Sequence, residues 1–464
     1  MTLIKSISGI RGTIGGSVNE NLTPLDTVRF ASAYGSWLQQ RNPDRKDLRV
    51  VIGRDARISG KMISSLVANT LVGLGIDVID LGLSTTPTVE VLVTLENADG
   101  GIIVTASHNP KQWNALKLLN EKGEFLNADD GSMILELAKG DHYSYSEVTE
   151  LGHYSKLKDG IDRHIKEVLN LELVDVDAIK NAGFNVVVDA VNSTGGIAIP
   201  KLLSALGVRC VPLYCEPTGD FPHNPEPLPA HLTDISQLVV KEKADLGIVV
   251  DPDVDRLAIV NEDGSMFGEE YTLVACADYV LSQTPGDTVS NLSSSRALRD
   301  VTRNRGGQYQ ASAVGEVNVV ELMKANEAII GGEGNGGIIY PASHYGRDAL
   351  VGVALFLTHL AREKVSCKTL RNGYPAYFMS KNKIQLTPEL DVDKILKDMS
   401  LKYEKEEVST VDGVKIDFET EWVHLRKSNT EPIIRIYTES GTQGAADELA
   451  ERIIDEIKTI AGLK

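Results

Sequence analysis

The sequence has little cysteine and no long apolar run. Its four cysteines stand in no Cys-x-x-Cys or Cys/His spacing, which indicates reduced thiols rather than a disulfide framework or a zinc site. No apolar run approaches the roughly 18 residues that a membrane-spanning helix needs. The first residues also lack the apolar core of a secretory signal. These absences predict a cytoplasmic protein without a membrane partner.

Basic residues are in the minority as well. The chain has 47 lysine and arginine residues against 65 aspartate and glutamate residues, which gives a net charge of −18. This balance argues against nucleic acid and anionic membranes as partners. An anionic small molecule must therefore be bound by a local group of basic side chains, and basic residues in loops rich in glycine, serine, threonine and asparagine are the candidates.

The length of 464 residues is too great for one core, and domains of roughly 100 to 200 residues predict three or four. Apolar strand-like runs alternate with amphipathic helical stretches, which is typical of α/β units with parallel or mixed sheets. We predict three similar α/β domains at residues 1–152, 153–256 and 257–370 around a central cleft. Antiparallel strand patterns and a final amphipathic helix predict an α+β lid domain at 371–464.

Three aspartates alternate directly after the apolar run LGIVV, in the segment DPDVDR from Asp251 to Arg256. Carboxylates this close repel one another unless a cation lies among them, and oxygen ligands suit Mg²⁺ or Ca²⁺ better than zinc. A calcium loop, with Glu262 at its twelfth position, would need glycine at its sixth, where Arg256 stands. The segment therefore favours Mg²⁺, and a solvated acidic turn is the alternative.

A phosphate partner for that cation is suggested by the segment TASHNP, which follows another apolar run. Mg²⁺ is usually bound by a few carboxylates together with a phosphate oxygen, and Ser107 is the best candidate to carry the phosphate. A helix cap or turn is the alternative for this serine. His108 is its neighbour in sequence, which argues against a Ser-His catalytic pair. We expect His108 to shape the loop or bind a phosphate oxygen, and Lys117 to lie beside the serine.

Four polar segments are spread in order over essentially the whole chain, namely TASHNP with Lys117, DPDVDR, GEGNGG and RKSNTEP. Together they resemble the signature loops of the α-D-phosphohexomutase superfamily. The resemblance implies four domains around a deep cleft, which agrees with the domains predicted from the residue pattern. It also implies an isomerase that moves a phosphoryl group between two hydroxyls of a hexose.

The resemblance implies that Ser107 is a phosphoserine and that its phosphate and the three aspartates Asp251, Asp253 and Asp255 hold one Mg²⁺ per chain. The metal would neutralise charge that spreads over the phosphoryl oxygens during transfer. Arg256 would approach the substrate or the phosphoserine.

Two further basic residues are implied to assist proton transfer at the sugar hydroxyl. Arg11 in SGIRG matches an arginine near the family's N-terminus, and Lys117 follows the serine loop. Because arginine is a poor general base at neutral pH, we assign the proton transfer to Lys117 and an electrostatic role to Arg11.

In GEGNGG the resemblance implies that Glu333 and Asn335 bind the sugar, and their carboxylate and amide groups suit hydrogen bonds to hydroxyls. A plain glycine-rich turn is the alternative. The commoner bacterial pattern has serine at Asn335 and histidine at Gly337, so one candidate for proton transfer is missing. His344 or Arg347, in YPASHYGRDAL, are possible replacements.

The fourth loop has the chemistry of a phosphate site, since arginine forks, hydroxyls and backbone amides bind phosphate oxygens. An exposed basic turn is the alternative. The predicted phosphate-binding residues are Arg426, Ser428, Asn429, Thr430 and Arg435.

The implied reaction begins with phosphorylated Ser107 and passes through a hexose 1,6-bisphosphate, which acts as intermediate and activator. The loop variants resemble phosphoglucosamine mutase-like members, so we predict interconversion of glucosamine 6-phosphate and glucosamine 1-phosphate. Phosphomannomutase or phosphoglucomutase activity is the alternative. A metal-dependent sugar phosphatase and a non-catalytic phosphosugar-binding protein are alternatives from other classes. The sequence is compatible with a monomer or a homodimer.

Overall fold

The computed structural model describes residues 2–6, 9–140, 142–385, 390–427 and 433–462. Within these ranges the strands form four sheets. Three are mixed sheets with parallel strands, and the fourth is antiparallel throughout. The predicted fold class, three α/β domains followed by an α+β domain, is therefore confirmed. Among the described residues no helix is long and apolar enough to span a bilayer.

The first sheet has seven strands. They are β1 (Ile4–Ser6), β2 (Gly9–Thr13), β3 (Arg49–Arg54), β4 (Asp77–Leu83), β5 (Gly100–Val104), β6 (Trp113–Leu119) and β7 (Tyr154–Lys156). Their order is β1-β2-β6-β5-β3-β4-β7. Strands β5, β3, β4 and β7 are parallel, and the other three alternate in direction. Strand β7 begins after residue 152, so this sheet extends past the predicted end of the first domain.

Four helices accompany this sheet, with a short 3-10 turn before β7. They are α1 (Pro24–Arg41), α2 (Gly60–Gly73), α3 (Thr86–Leu95) and α4 (Ala128–Gly140), and the turn is Val148–Glu150. The start of α1 is set by its sequence: the Thr23 hydroxyl accepts from the Asp26 N–H, and the Asp26 carboxylate accepts from the Thr23 N–H.

The second sheet has four strands. They are β8 (Asn185–Asp189), β9 (Arg209–Leu213), β10 (Leu246–Val250) and β11 (Leu257–Asn261). The helices are α5 (Gly160–Leu169), α6 (Val176–Ala182), α7 (Gly195–Ala205) and α8 (Thr233–Lys241), with a 3-10 turn at Pro229–His231. The order is β11-β10-β8-β9, and only β11 is antiparallel to its neighbour. The predicted boundary at 256 placed β11 in the third domain, but its pairing with β10 extends the second sheet past that boundary.

The third sheet repeats this plan. Its strands are β12 (Thr288–Asn291), β13 (Tyr309–Ser312), β14 (Ile330–Glu333) and β15 (Gly337–Ile339). Its helices are α9 (Glu269–Gln283), α10 (Arg296–Asn304), α11 (Glu316–Ala325), α12 (Ala349–Glu363) and α13 (Cys367–Asn372). The order is β13-β12-β14-β15, and again only the last strand is antiparallel.

One connection recurs in the three α/β units. A parallel strand, β5, β10 or β14, is followed by a polar loop and then by an antiparallel neighbour, β6, β11 or β15. These loops lie at the carboxyl ends of the parallel strands, where ligands bind in open α/β sheets. They are the loops that contain TASHNP, DPDVDR and GEGNGG.

The fourth unit is an antiparallel sheet with two helices. Its elements are β16 (Phe378–Gln385), α14 (Val392–Lys402), β17 (Glu407–Ser409), β18 (Val414–Asp417), β19 (Trp422–Lys427), β20 (Ile433–Ser440) and α15 (Gln443–Ile460). The order is β16-β20-β19-β18-β17. The final helix buries Leu449, Ile453 and Ile457 at helical spacing, which explains its amphipathic pattern.

The second and third units share one hydrophobic core, whereas the first and fourth each have cores of their own. Helix α12 is buried on nearly all sides and contributes Phe356, which packs edge to face on Phe267 at 5.1 Å between ring centres. This shared core fixes the loops after β10 and β14 relative to each other.

Candidate active site

The loops after β5, β10 and β14 meet at one cleft of about 530 Å³. Four predicted basic residues line it, namely Arg11, Lys117, Arg256 and Arg347. Four other predicted residues line it as well, namely Ser107, His108, Glu333 and Asn335. The structure therefore brings together residues that are separated by more than 300 positions in the sequence.

Ser107 lies in a tight turn directly after β5, with a left-handed backbone at φ +48°. Its N–H donates to Thr105 Oγ1 at 3.0 Å, and its own hydroxyl donates to Asp251 Oδ2 at 2.9 Å. A non-glycine residue in this conformation is strained and persists only where its surroundings enforce it. The turn thus directs the Ser107 hydroxyl at the aspartate loop.

The three aspartates are fully buried, and one oxygen from each lies within 4.8 Å of the others. Asp253 Oδ2 accepts from the Thr86 hydroxyl at 2.6 Å and from Lys117 Nζ at 2.7 Å. The Oδ1 atoms of Asp253 and Asp255 are buried without a hydrogen-bond partner among the described residues. Such atoms are costly unless a ligand binds them.

This donor set fits a hard divalent cation. Burial, and then the negative charges of Asp255 and Asp253, raise the pKa of Asp251 well above its usual value. A bound cation would remove that cost, and carboxylate oxygens with a nearby phosphate are the ligands that Mg²⁺ prefers. The residues present are therefore suited to Mg²⁺.

Lys117, on β6, donates to two of the aspartates, at 2.7 Å to Asp253 and 3.2 Å to Asp255. Burial alone would lower the pKa of Lys117, but these two carboxylates outweigh it and raise the pKa. In this arrangement Lys117 is a cation. It is placed to donate a proton rather than to accept one, which qualifies its predicted role.

His108 and two arginines complete the serine side of the cleft. Burial, and then the charge of Arg256, lower the pKa of His108 to about 2, so its ring is neutral. Burial, followed by the repulsion of Arg256, also lowers the pKa of Arg11. The Arg256 backbone N–H donates to Asp251 Oδ1 at 3.1 Å. Arg11 and Arg256 thus place two guanidinium groups on the serine side of the cleft, where they could bind an anion.

The two sugar-binding candidates, Glu333 and Asn335, lie at the end of β14 and in the loop that follows it. Glu333 ends β14, and its Oε1 accepts from Asn291 Nδ2 at 2.9 Å. Asn335 Nδ2 donates to Glu333 Oε2 at 3.3 Å, and Asn335 Oδ1 accepts from the Gly337 N–H at 3.2 Å. The carboxylate and the amide are thus oriented by the loop itself.

Family models match the chain in four consecutive parts. They are described as phosphoglucomutase/phosphomannomutase alpha/beta/alpha domains I, II and III, over residues 4–143, 162–264 and 268–377, and the C-terminal domain, over residues 382–456. A phosphoglucomutase/phosphomannomutase of Thermococcus kodakarensis is 34% identical over 446 residues, which is 95% of this chain and 96% of that protein. The chain belongs to the phosphoglucomutase/phosphomannomutase family. The predicted resemblance is confirmed, and the protein is an isomerase of the phosphohexomutase type.

Other members of the phosphoglucomutase/phosphomannomutase family match over nearly their whole length. A probable phosphoglucosamine mutase of Methanopyrus kandleri is 31% identical, with 97% of each chain covered. A phosphoglucosamine/phosphogalactosamine mutase of Sulfurisphaera tokodaii is 31% identical, with 97% and 98% covered. The crystal structure of a family protein from Burkholderia thailandensis superposes with a TM-score of 0.84 at 26% identity, covering 99% of this chain and 98% of that one.

The two proposed substitutes for the family histidine lie in different places. Arg347 lines the cleft and donates to Asp255 and Glu333. His344 Nε2 instead donates to Asp348 Oδ2 at 3.2 Å, and His344 is absent from the cleft lining. Of the two, only Arg347 is in reach of the site.

The fourth loop of this family member is described only in part, because Ser428, Asn429 and Thr430 lie outside the described residues. Arg426 and Arg435 are opposite each other on β19 and β20. Arg426 forms an ion pair with Asp412 at 2.8 Å, and Arg435 is exposed. Their phosphate-binding role stays a prediction.

Some residues that hydrogen-bond to the loops of the site were not predicted from the sequence. The buried guanidinium of Arg57 pairs with Asp55 and donates to the backbone carbonyls of Ser107 and Asn109, so it fixes the serine loop. The only available signal was its place in the polar segment IGRDAR, three residues after the end of β3. Thr86, which donates to Asp253, and Glu316, which accepts from Arg347, belong to no sequence motif. Their contacts could therefore be found only in the folded chain.

Proposed function

We propose that the protein carries a phosphoryl group on Ser107 and interconverts glucosamine 6-phosphate and glucosamine 1-phosphate in the cytoplasm. The observation that supports this is the Ser107 hydroxyl, which donates to Asp251 at 2.9 Å beside aspartates with unpartnered buried oxygens. A serine next to a cation-binding carboxylate cluster is suited to forming a covalent phosphoryl intermediate.

Asp251, Asp253 and Asp255, with an oxygen of the Ser107 phosphate, would hold one Mg²⁺ per chain. When bound, the metal neutralises the charge that spreads over the phosphoryl oxygens. Arg11 and Arg256 add positive potential from the serine side of the cleft.

Transfer breaks the bond between phosphorus and Ser107 Oγ while a sugar hydroxyl oxygen bonds to phosphorus. Each transfer also moves one proton from the attacking oxygen to the departing one: from the sugar hydroxyl to Ser107 Oγ when serine departs, and from Ser107 Oγ to the sugar oxygen when serine attacks. We assign this proton to Lys117, whose ammonium gives a proton to the departing oxygen while the amine takes one from the attacking hydroxyl, so Lys117 is a cation before and after each transfer.

A mutase also needs a second phosphate site, because the hexose 1,6-bisphosphate intermediate must turn around and present its other phosphate to Ser107. We assign that site to Arg426 and Arg435 together with Ser428, Asn429 and Thr430. Closure of the fourth domain would keep water from the phosphoserine. Glu333 and Asn335 would bind sugar hydroxyls in both orientations.

The choice of sugar follows the relatives' names, since several are probable phosphoglucosamine mutases. The alternative, phosphomannomutase or phosphoglucomutase activity, is favoured by the 34% identical relative from Thermococcus kodakarensis. An amino group and a hydroxyl at C2 can donate to the same protein acceptors, so the two substrates resemble each other at this site.

Steady-state rates on glucosamine, glucose and mannose 6-phosphates, with Mg²⁺ and a trace of hexose 1,6-bisphosphate, test the proposal. We expect the highest kcat/KM on glucosamine 6-phosphate and no measurable release of inorganic phosphate. Preference for glucose or mannose phosphates would support the alternative. Stoichiometric phosphate release would identify a sugar phosphatase, and binding without conversion would identify a non-catalytic phosphosugar-binding protein.

A further inference from the structure

Arg347 binds three carboxylates at once. Its Nη2 donates to Asp255 Oδ2 at 2.7 Å, its Nη1 to Glu333 Oε2 at 2.8 Å, and its Nε to Glu316 Oε2 at 3.1 Å. The backbone N–H of Arg347 donates to the other oxygen of Glu316 at 2.9 Å. Every nitrogen of the guanidinium therefore has a carboxylate partner.

The three carboxylates belong to different parts of the cleft. Asp255 lies in the aspartate loop after β10, Glu333 ends β14 in the sugar loop, and Glu316 begins α11. Burial alone would lower the pKa of Arg347, but these three carboxylates raise it well above its usual value, so the side chain stays charged. One buried cation thus joins the aspartate loop to the sugar loop.

Arg347 also completes the orientation of Glu333. Oε1 of Glu333 is bound by Asn291 Nδ2 at 2.9 Å and by the Gly315 N–H at 3.2 Å. Oε2 is bound by Arg347 at 2.8 Å and by Asn335 Nδ2 at 3.3 Å. The carboxylate is thus held in one orientation, and a sugar hydroxyl could bind it in place of the longer Asn335 contact.

The absence of a side chain at Gly337 leaves space for Arg347. A Cβ atom at residue 337 would lie 2.3 Å from Arg347 Cδ and 3.0 Å from Arg347 Cγ. A side chain at 337 would therefore push the arginine side chain out of its present position, and its Cβ would also lie 3.1 Å from Asn335 Oδ1. Glycine at 337 and arginine at 347 are complementary, which gives a physical reason for the glycine in GEGNGG.

We propose that Arg347 is a positioning residue that aligns the sugar-binding carboxylate Glu333 with the aspartate loop, and that Gly337 provides the space it requires. This inference rests on the proposed mutase function. It assigns Arg347 no proton transfer, because its nitrogens are all committed to carboxylates and a guanidinium stays protonated.

The test uses Gly337→Ala, which displaces the arginine without removing any charge, with Arg347→Lys, Arg347→Met and the double variant Gly337→Ala/Arg347→Met. Gly441→Ala is the matched control, since it adds the same methyl group where nothing lies within 4 Å. The measurements are kcat and KM for glucosamine 6-phosphate, thermal midpoints, and calorimetric binding of glucosamine 6-phosphate in a Ser107→Ala background.

We expect Gly337→Ala to lower kcat/KM at least about tenfold and to weaken binding about tenfold, since a misplacement of about 1 Å can cost about 100-fold in rate. Gly441→Ala should match the parent. Arg347→Lys should not restore the rate, because one ammonium cannot span three carboxylates. In the Arg347→Met background the extra methyl group at 337 should cost less than in the parent, because a flexible thioether can move aside whereas the arginine is held by three carboxylates.

Parental kinetics and binding in Gly337→Ala, full activity in Arg347→Lys, or additive losses in the double variant would each overturn the inference while leaving the mutase function intact. If Arg347→Met fails to fold, Gly337→Ala against Arg347→Lys decides. A parent protein that converts no sugar phosphate would overturn both the function and the inference.

Discussion

Glu270 is a buried carboxyl group that packs against the loop between β14 and β15, the sugar loop of residues 333–337. It lies in the first turn of α9, and its Oε2 accepts from the Ser295 N–H at 2.8 Å. A Cβ atom at Gly334, in the sugar loop, would lie 2.0 Å from the same oxygen. Burial is the largest cause that raises the pKa of Glu270 from 4.5 to about 8. The carboxyl group is therefore protonated in the folded protein at neutral pH.

Stability should fall as pH rises because of this group. Below pH 4.5 the carboxyl is protonated in both states, and between 4.5 and about 8 only the unfolded chain ionises. Unfolding then releases a proton, so the free energy of unfolding decreases by about 1.4 kcal/mol per pH unit. The whole interval corresponds to about 5 kcal/mol, of which about 3 kcal/mol falls between pH 6 and pH 9.

Glu270→Gln removes the ionisation and keeps an acceptor for Ser295. From pH 6 to pH 9 the free energy of unfolding of the variant should rise by about 3 kcal/mol relative to that of the parent. Guanidinium denaturation at several pH values measures this difference. Glu448→Gln, on the exposed side of α15, controls for the loss of one carboxyl group. Parallel pH profiles for the parent and Glu270→Gln would refute the reasoning.

Three other substitutions test separate parts of the account. Lys117→Met should lower kcat at least about 100-fold in the mutase assay, because it removes the proton donor for the sugar oxygen; a rate within tenfold of the parent would contradict that role. His164→Ala removes a buried imidazole that lies 2.9 Å from Asp348 Oδ2, and should lower the free energy of unfolding by about 2–4 kcal/mol; a denaturation midpoint equal to the parent's would count against it. Gly219→Ala places a methyl group 2.0 Å from the Ala56 carbonyl oxygen at φ +74°, so it should lower the thermal midpoint, and an unchanged midpoint would show that this contact between the first two domains yields easily.

Much of the site could be read from the sequence because polar loops directly follow apolar strands. The segments around Ser107, Asp251 and Glu333 were found in this way, and equivalent strands place their ends at one cleft. Strand β11 shows the limit. Its apolar residues follow the aspartate loop and indicate a strand, but only pairing with β10 decides which sheet it joins.

The residues that support the site could not be predicted for a related reason. Arg57 lies in the loop between β3 and α2, whereas Thr86 and Glu316 are the first residues of α3 and α11. All three have partners that are distant in sequence. The choice between His344 and Arg347 also needed the fold, because residues three positions apart after β15 face different neighbours.

The central claim is that Ser107 carries the phosphoryl group. The most direct measurement is the intact mass of the purified protein, with peptide mapping, after incubation with glucose 1,6-bisphosphate and Mg²⁺. The account predicts one added phosphoryl group on Ser107, none in Ser107→Ala, and loss of transfer when the metal is chelated. Phosphate on another residue, or a Ser107→Ala protein that isomerises sugar phosphates at the parental rate, would contradict it.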